Sequence, residues 1–174
     1  MRADSNHSKA FPLKTIITSN GVKTIVDDDD FEVYGKLRWK CDGVGYVRRN
    51  IRVNGKHKTV YLHRLVIGDP HGYQVDHKNG NKVDNRKENL RKATGSQQRA
   101  NTRLRKDNPH GLKGVTWIKN NKNWVAQICL KGRHVHLGVF TCKKEAAKAY
   151  DRAALKHFGE FACTNFGEQS RENR

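Results

Sequence analysis

Two adjacent residues, Asp76 and His77, lie in the run Gly72-Tyr-Gln-Val-Asp-His-Lys-Asn-Gly-Asn-Lys. A carboxylate is a hard oxygen ligand suited to Mg²⁺ or Mn²⁺, and an imidazole titrates near neutrality, which suits a general base. Metal-assisted cleavage of a phosphodiester needs an ion on the scissile phosphate and a base for the attacking water. The pair therefore indicates a metal-dependent phosphodiester-cleaving site.

The residues around this pair predict a strand, a polar turn, a return segment and a helix. The strand covers Tyr73 to His77, and the return segment lies at about residues 89–93. Thr94-Gly-Ser-Gln97 then has the spacing of a capping box, and the helix is expected to continue to about Arg105. Because side chains alternate along a strand, Asp76 and His77 are expected to point to opposite sides and to take different roles.

Three amide side chains extend this candidate site. Gln98 and Asn101 are three residues apart on the predicted helix and share a face, so the carbonyl oxygen of either can reach a bound ion. Asn89 is expected to bridge the backbone across the hairpin and to fix the orientation of His77. The sequence leaves open whether Gln98 or Asn101 supplies the second metal ligand.

Residues 61–101 resemble the HNH nuclease family of phage and intron homing enzymes. The resemblance rests on Tyr61-Leu-His-Arg-Leu-Val and on Asp76-His-Lys-Asn-Gly-Asn-Lys-Val-Asp-Asn-Arg-Lys-Glu-Asn-Leu-Arg-Lys-Ala-Thr94. It implies a ββα-metal motif with Asp76 as metal ligand, His77 as general base and Asn89 as the structural middle residue. The third signature position, another metal ligand, usually holds Asn or His in the family; here it holds Gln98, with Asn101 one turn later.

The departure at Gln98 keeps a rival function open. A catalytically inactive, sequence-specific DNA-binding regulator on an HNH scaffold would also fit the motif. A second rival is a protein that binds or cleaves RNA, which a preference for single-stranded RNA over duplex DNA would favour. We expect a DNA endonuclease that uses one divalent ion, Mg²⁺ or Mn²⁺, and nicks duplex DNA.

The charge of the chain points to a polyanionic partner. The sequence has 35 Lys and Arg against 17 Asp and Glu, a formal net charge of +18, which favours nucleic acid. Residues 86–106 hold eight basic side chains against the single acid Glu88 and are expected to follow the phosphate backbone, with Arg91, Arg99 and Arg103 as DNA contacts.

Residues 112–166 predict a second compact unit of three short strands and one helix. The strands are residues 114–117, 123–130 and 134–140, and a Lys131-Gly132-Arg133 turn joins the last two. The helix is expected at residues 143–157, capped by Thr141, with an alanine-rich side that allows close packing on the sheet.

This second unit resembles the plant ethylene-response-factor (Apetala-two/ERF) DNA-binding domain. The matching stretches are Lys113-Gly-Val, Trp124-Val-Ala-Gln-Ile, Val135-His-Leu-Gly-Val-Phe and Glu145-Ala-Ala-Lys-Ala-Tyr-Asp-Arg-Ala-Ala. The resemblance implies an antiparallel sheet whose exposed face enters the major groove of double-stranded DNA. The implied DNA-facing side chains are Lys113, Thr116, Gln127, His134, His136 and Tyr150, with Lys119, Lys122, Lys131 and Arg133 as phosphate contacts from loops. Thr116, Cys129 and His136 replace the Arg or Trp of plant members, so a different sequence preference is expected.

The predicted fold class is α+β, with an N-terminal β-rich region before the two units. Asn54-Gly55 predicts a hairpin there, and the run Asp27–Asp30 predicts a solvated turn or a helix start in preference to a metal site. The predicted boundaries are 1–106 for the β-rich region and HNH domain (ββα-metal core at about 73–106), 107–111 for a linker, 112–166 for the ERF-like domain and 167–174 for a tail.

Four scattered cysteines, without a Cys-x-x-Cys pair, argue against a zinc finger and against a disulfide framework. No apolar run has the roughly 20 residues that a membrane span needs, and the polar N-terminus lacks a signal-peptide core. The expectation is a soluble, intracellular protein that is not secreted and acts as a monomer, with a dimer left open.

Overall fold

The structure, a computed structural model, describes residues 13–167 and has the predicted α+β fold. The polar N-terminus before residue 13 and all but the first residue of the predicted tail at 167–174 lie outside the described residues. The strands in this range are β1 (Lys14–Ile17), β2 (Lys23–Val26), β3 (Lys40–Cys41), β4 (Val47–Val53), β5 (Lys56–Tyr61), β6 (Gln74–His77), β7 (Leu90–Ala93), β8 (Val115–Ile118), β9 (Asn123–Leu130) and β10 (Arg133–Phe140). The helices are α1 (Asp28–Tyr34), α2 (Leu62–Val66), α3 (Gly95–Ala100) and α4 (Lys143–Phe158).

The chain forms two compact units that interleave along the sequence. The first unit contains the residues up to His71 together with Asn81–Arg91. The second unit contains Gly72–Gly80 together with the residues from Lys92 onward. The strand that carries Asp76 and the helix that follows it therefore belong to the same compact unit as the C-terminal sheet.

The first unit is built on a β1–β2 hairpin and a three-stranded antiparallel sheet of order β3-β4-β5. Asn54 and Gly55 join β4 to β5 with φ of 50° and 76°, the backbone of a tight hairpin turn that matches the twist of the strands. The predicted hairpin is thereby confirmed. The apolar interior of the first unit includes Trp39, Val47 and Leu62, which are all nearly inaccessible to solvent.

The aspartate run starts helix α1, which confirms the helix-start prediction. Asp27 is the N-cap residue and Asp28–Asp30 form the first turn, where the positive end of the helix dipole stabilises carboxylates. The amino group of Lys87 pairs with Asp29 and Asp30, and the Lys87 N–H donates to Asp27 at 2.7 Å. Lys87 lowers the pKa of Asp29, whereas burial raises the pKa of Asp30. The run therefore anchors the loop that carries Asn89.

A buried polar cluster ties the same loop to β2. The Asn85 side chain donates to the Thr24 hydroxyl at 2.7 Å, and this hydroxyl donates to the Val83 carbonyl at 2.7 Å. Backbone bonds run from the Ile25 N–H to Val83 and from the Asn85 N–H to Ile25. Asn85 and Thr24 are fully buried, so each needs these partners.

The second unit contains the antiparallel sheet β8-β9-β10 with α4 packed on it. The three strands fall where the sequence predicts them, and Lys131 and Gly132 make the turn between β9 and β10 with φ of 49° and 81°. The core combines sheet residues such as Ala126 and Ile128 with the alanine-rich side of α4. Small side chains let the helix lie close to the sheet, as predicted.

A β-bulge between His136 and Gly138 interrupts the register of β10. Before the bulge, His136 pairs with Gln127 on the face away from α4; after it, Gly138 pairs with Ala126 on the helix side. The bulge turns Phe140 into the core with Ala146 and leaves Val139 exposed. Strict alternation of side chains along β10 would instead place Val139 in the core and expose Phe140, because it takes no account of the extra residue in the bulge.

Two predicted helix boundaries are wrong. Helix α3 ends at Ala100 instead of about Arg105, and Asn101 is its C-cap. Helix α4 has Cys142 rather than Thr141 at its N-cap, without a side-chain cap. The predicted linker region after α3 contains local turns, including bonds from the Asn108 N–H to Arg105 and from the Gly111 N–H to Asn108.

Replacing Gly114 by Ala should lower the free energy of unfolding by about 3 kcal/mol, since it adds steric overlap to backbone strain. Gly114 has φ of 71°, and a Cβ there would lie 2.0 Å from a Tyr150 ring carbon and 2.6 Å from the Gln127 carbonyl oxygen. Gly132 has φ of 81° with nothing within 4 Å of its Cβ position, so Gly132→Ala is the control for strain alone and should lower stability by about 1 kcal/mol. Urea denaturation followed by circular dichroism measures both, and equal effects would contradict the steric argument.

Candidate functional site

Strand β6 and helix α3 position the candidate site. Strand β6 carries Asp76 and His77, pairs with β7, and has α3 packed against it. The predicted capping box is present: the Gln97 N–H donates to the Thr94 hydroxyl at 3.3 Å, and the Thr94 N–H donates to the Gln97 side chain at 2.8 Å. Because this box fixes where α3 starts, it also fixes which residues of the helix reach β6.

Asn101 holds the Asp76 carboxylate. Its side-chain nitrogen lies 3.1 and 3.0 Å from the two carboxylate oxygens of Asp76, 2.9 Å from the His77 carbonyl and 3.4 Å from the Lys78 carbonyl. All four partners are acceptors, so the amide nitrogen of Asn101, not its oxygen, must face the carboxylate. Asp76 and Asn101 are both buried. In this arrangement Asn101 is the hydrogen-bond donor that orients the Asp76 carboxylate.

Gln98 has a different environment on the same helix. Its side chain is half-buried, and it makes no hydrogen bond with any residue that the structure describes. Its backbone is committed to the helix, with the N–H donating to the Thr94 carbonyl. The Gln98 amide makes no such contact, whereas the Asn101 nitrogen is committed to Asp76 and to the carbonyls of the following turn.

His77 is also buried, and the turn after it is held from two sides. The Gly80 N–H and the Asn101 side chain both donate to the His77 carbonyl. The Arg103 guanidinium donates to the Asn79 carbonyl. Arg103, predicted as a DNA contact, thus supports the turn that follows the Asp-His pair while its side chain stays exposed.

Lys113 closes the C-terminal end of α3. Its amino group donates to the Ala100 carbonyl at 2.6 Å and to the Thr102 carbonyl at 2.7 Å, the two carbonyls on either side of Asn101. A lysine at a helix C-terminus satisfies carbonyl groups that have no partner within the helix. Burial lowers the pKa of Lys113, against the opposing effects of Cys163 and Asp151.

The backbone of Lys113 is fixed by the end of the C-terminal domain. The Lys113 N–H donates to the Asn165 side chain at 2.7 Å, and the Asn165 amide donates back to the Lys113 carbonyl at 3.1 Å. The Asn165 N–H and amide in turn donate to Asp151 on α4 at 2.7 and 3.0 Å. Hydrogen bonds therefore connect α4 through Asn165 and Lys113 to the carbonyls of Ala100 and Thr102, the two chain neighbours of Asn101.

Asn89 lies in the first unit, in a one-turn 3-10 helix over Lys87–Asn89. Its side chain donates to the Asp84 carbonyl at 2.7 Å, and it is buried. Asp84 also holds Arg86 through two bonds of 2.7 Å. Asp84, Asn85 and Arg86 are not among the predicted site residues, although all three lie inside the HNH-like stretch of the sequence.

The exposed face of the C-terminal sheet presents most of the predicted DNA contacts. The cross-strand pairs His136–Gln127 and His134–Cys129 lie on this face, and a neighbouring row runs from Thr116 through Val125 to Val139. Exposed basic residues surround it in loops and turns: Lys119, Lys122, Lys131 and Arg133. Arg99 on α3 is exposed and Arg91 on β7 is half-buried.

Two predicted DNA-facing residues, Tyr150 and Lys113, do not lie on the outer face of the sheet. Tyr150 packs with Ile128 and Ala154 in the core and is nearly inaccessible, and burial raises the pKa of its hydroxyl. The Lys113 amino group donates two hydrogen bonds to carbonyls at the end of α3. Both residues therefore leave the set that can lie on the outer face of the sheet.

Among the described residues, no group of three or more His, Cys, Asp and Glu side chains is arranged to hold a metal ion. Mg²⁺ is commonly bound by one or two carboxylates together with water and phosphate oxygens, an arrangement that needs no such group. In residues 13–167 no helix combines the length and apolarity needed to cross a membrane.

Comparisons with known proteins agree with both resemblances. Residues 60–100 match the family model for an HNH endonuclease, and residues 110–160 match the model for an AP2 domain. The "Uncharacterized HNH endonuclease L560" of Acanthamoeba polyphaga mimivirus is 27% identical over 171 residues, which is 94% of this chain and 89% of that protein. The "APETALA2-like protein 2" of Oryza sativa subsp. indica is 43% identical over 54 residues, 31% of this chain and 12% of the rice protein. A solved structure of the HNH homing endonuclease I-HmuI is 26% identical, with 79% of this chain and 82% of that chain covered, at a TM-score of 0.33.

Replacing Lys113 by Met should lower the free energy of unfolding by about 2 kcal/mol, because the carbonyls of Ala100 and Thr102 lose a charged donor. Lys131→Met is the matched control, since Lys131 is exposed and makes no hydrogen bond with the described residues. It should change stability by less than about 0.5 kcal/mol. Hydrogen exchange of the α3 amides should rise in Lys113→Met only; unchanged exchange there would contradict the capping role.

Proposed function

We propose that this chain, which carries an HNH endonuclease domain followed by an AP2 domain, hydrolyses phosphodiester bonds of duplex DNA in a metal-dependent reaction. The observation that carries the proposal is the buried Asp76 carboxylate, held by the Asn101 amide beside His77. A buried carboxylate held in one orientation by donors is preorganised for a cation.

The donor set fits a hard divalent cation. Asp76 offers carboxylate oxygens, and Gln98, on the helix that packs against β6, offers an amide oxygen that no described residue occupies. We assign Asp76 and Gln98 as the protein ligands of Mg²⁺ or Mn²⁺, and Asn101 as the residue that positions Asp76. When bound, the ion would stabilise the negative charge on the scissile phosphate and on the departing 3′ oxygen.

His77 is assigned as the general base. Its imidazole accepts a proton from water as the water oxygen attacks phosphorus, and the phosphorus bond to the 3′ oxygen breaks. The backbone of His77 is held by Gly80 and Asn101, so the imidazole starts from a fixed strand position. Asn89 is assigned a structural role, because its amide fixes the loop at Asp84.

The AP2 domain is assigned to place this site on DNA. The outer face of β8-β9-β10 carries Gln127, His134 and His136, side chains that can contact base edges in the major groove. The lysines and the arginine at the ends of the strands suit phosphate contacts. One HNH site per chain cuts one strand at a time, so nicking is the expected product.

Cleavage of supercoiled plasmid tests the proposal. With Mg²⁺ or Mn²⁺ the wild-type chain should convert supercoiled plasmid to the open circular form, and EDTA should prevent this. Asp76→Ala and His77→Ala should each reduce the rate by at least about a hundredfold, because each removes a group that acts on the reacting atoms. Gel-shift affinity for DNA should stay near the wild-type value for His77→Ala.

Intact plasmid under all metal conditions, with binding still visible in the gel shift, would sink the nuclease proposal. It would favour the alternative of a DNA-binding regulator. The specific reason for that alternative is Gln98, which stands where the HNH family usually has Asn or His. Loss of DNA binding in His77→Ala would contradict the assignment of His77 as a base that acts after binding.

Charge-introducing variants separate the roles of Gln98 and Asn101. A carboxylate is a stronger ligand for a hard cation than an amide, so Gln98→Glu should tighten Mn²⁺ binding. Asn101→Asp places a second carboxylate against Asp76 and removes the donors, and should destabilise the metal-free protein by about 3 kcal/mol. Thermal unfolding in EDTA and calorimetric Mn²⁺ titration measure the two effects. A stable Asn101→Asp with tighter Mn²⁺ binding would reverse the assignment.

A further inference from the structure

The second unit contains a cavity of about 160 Å³ whose walls come from helix α3, the β9–β10 turn and helix α4. The polar lining is contributed by Ser96, Arg99, Lys113, Cys129, Lys131 and Tyr150. On this measure of volume one water molecule needs about 10–15 Å³, so the cavity has room for one tetrahedral oxyanion together with waters. Its two sides come from the two matched domains, α3 from the HNH domain and the β9–β10 turn from the AP2 domain.

The walls of this cavity are strongly positive. Arg99, Lys113 and Lys131 line it, and the described residues that line it include no Asp or Glu. None of these three side chains forms an ion pair with a described residue. Three cations facing one small space repel one another unless an anion separates them. The charge of the walls therefore selects an anionic ligand.

Lys113 strengthens this selection. An ammonium group has three N–H donors, and two of them are used by the carbonyls of Ala100 and Thr102. The third donor remains for a ligand in the cavity that Lys113 lines. The lowered pKa of Lys113, caused mainly by burial, is the expected result for an ammonium held in the protein without a compensating anion.

We propose that this cavity binds one phosphate group of the DNA backbone, held between Arg99 of the HNH helix and Lys131 of the AP2 hairpin. The proposal rests on the proposed DNA-binding function and adds to it a single phosphate that both domains contact. Arg99 is exposed and Lys131 sits in the tight turn with Gly132, so both can reach a duplex from outside while Lys113 forms the inner wall.

Such a contact would connect DNA placement with the candidate catalytic carboxylate. The same Lys113 amino group holds the two carbonyls that flank Asn101, and Asn101 holds Asp76. A phosphate that pairs with Lys113 would offset the cost of burying its ammonium group and favour the charged, donating form. A backbone phosphate seated here therefore stabilises the end of α3 in the arrangement that orients Asp76.

A double-mutant cycle on the full chain tests whether Arg99 and Lys131 share one phosphate. Affinity for a mixed-sequence DNA duplex is measured by fluorescence anisotropy in EDTA, which prevents cleavage, over a range of salt concentrations. Arg99→Met and Lys131→Met should each weaken binding about tenfold, as for a charge-assisted contact. Each should also reduce the slope of log affinity against log salt by about 1.

The pair should be non-additive. If one phosphate is held by both side chains, the double variant should bind within about threefold of the weaker single variant. Lys119→Met, in the β8–β9 connection and outside the cavity, is the matched control, and its effect should multiply with that of Arg99→Met. If the losses of duplex affinity caused by Arg99→Met and Lys131→Met multiply in the double variant, the two side chains do not share a phosphate. The proposed DNA-binding function would still stand in that case.

A second arm distinguishes the source of the phosphate. Calorimetry with inorganic phosphate at matched ionic strength should give binding at least about a hundredfold weaker than binding of the duplex. Tight binding of inorganic phosphate that depends on Arg99 and Lys131, with duplex affinity unchanged in both variants, would make the cavity a site for free phosphate and overturn its assignment to DNA. Failure of the wild-type chain to bind any duplex would instead remove the proposed function itself.

Discussion

The contact between Asn101 and Asp76 is the interaction on which the candidate site depends. A buried carboxylate loses the solvation that keeps it charged in water, so it needs donors with fixed geometry. Asn101 provides them and also contacts the carbonyls of His77 and Lys78, which ties the end of α3 to the strand and to the turn after it. One amide thus sets the orientation of the carboxylate and the relation of the two elements. The same contact commits the Asn101 nitrogen to Asp76, and it is the reason that Gln98 is the proposed second ligand.

The position of Asn101 depends in turn on how α3 ends. The helix is only six residues long, and a helix of that length is not stable by itself. Its start is fixed locally by the Thr94 capping box, whereas its end is fixed by Lys113, which belongs to the AP2 domain. Because Asn165 and Asp151 hold the Lys113 backbone, the C-terminal domain contributes to the geometry of the HNH domain. The second domain is therefore part of the support of the site as well as a DNA-binding module.

Charge is distributed according to function in both units. In the first unit, acidic groups at the start of α1 neutralise Lys87 and secure the loop that carries Asn89. In the second unit, Arg99 and Lys131 have no such partner among the described residues, and they face a cavity. Basic side chains that are paired internally stabilise the fold, and those left unpaired are the ones available to phosphate. The net charge of +18 does not by itself distinguish these two groups.

The sequence by itself determined the Asp76-His77 strand, the Thr94 capping box and the three strands with one helix of the C-terminal domain, but not the division into units, which interleave along the chain. These features follow from local patterns, namely alternation, capping spacing and turn residues, which act over a few residues. Tertiary structure placed the Asn101 nitrogen against Asp76, moved Lys113 and Tyr150 away from the outer face of the sheet, and ended α3 at Ala100. Those outcomes depend on partners distant in sequence, such as Asp76 for Asn101 and Ala100 for Lys113. A local pattern cannot specify which distant acceptor a side chain will meet, because that is set by packing.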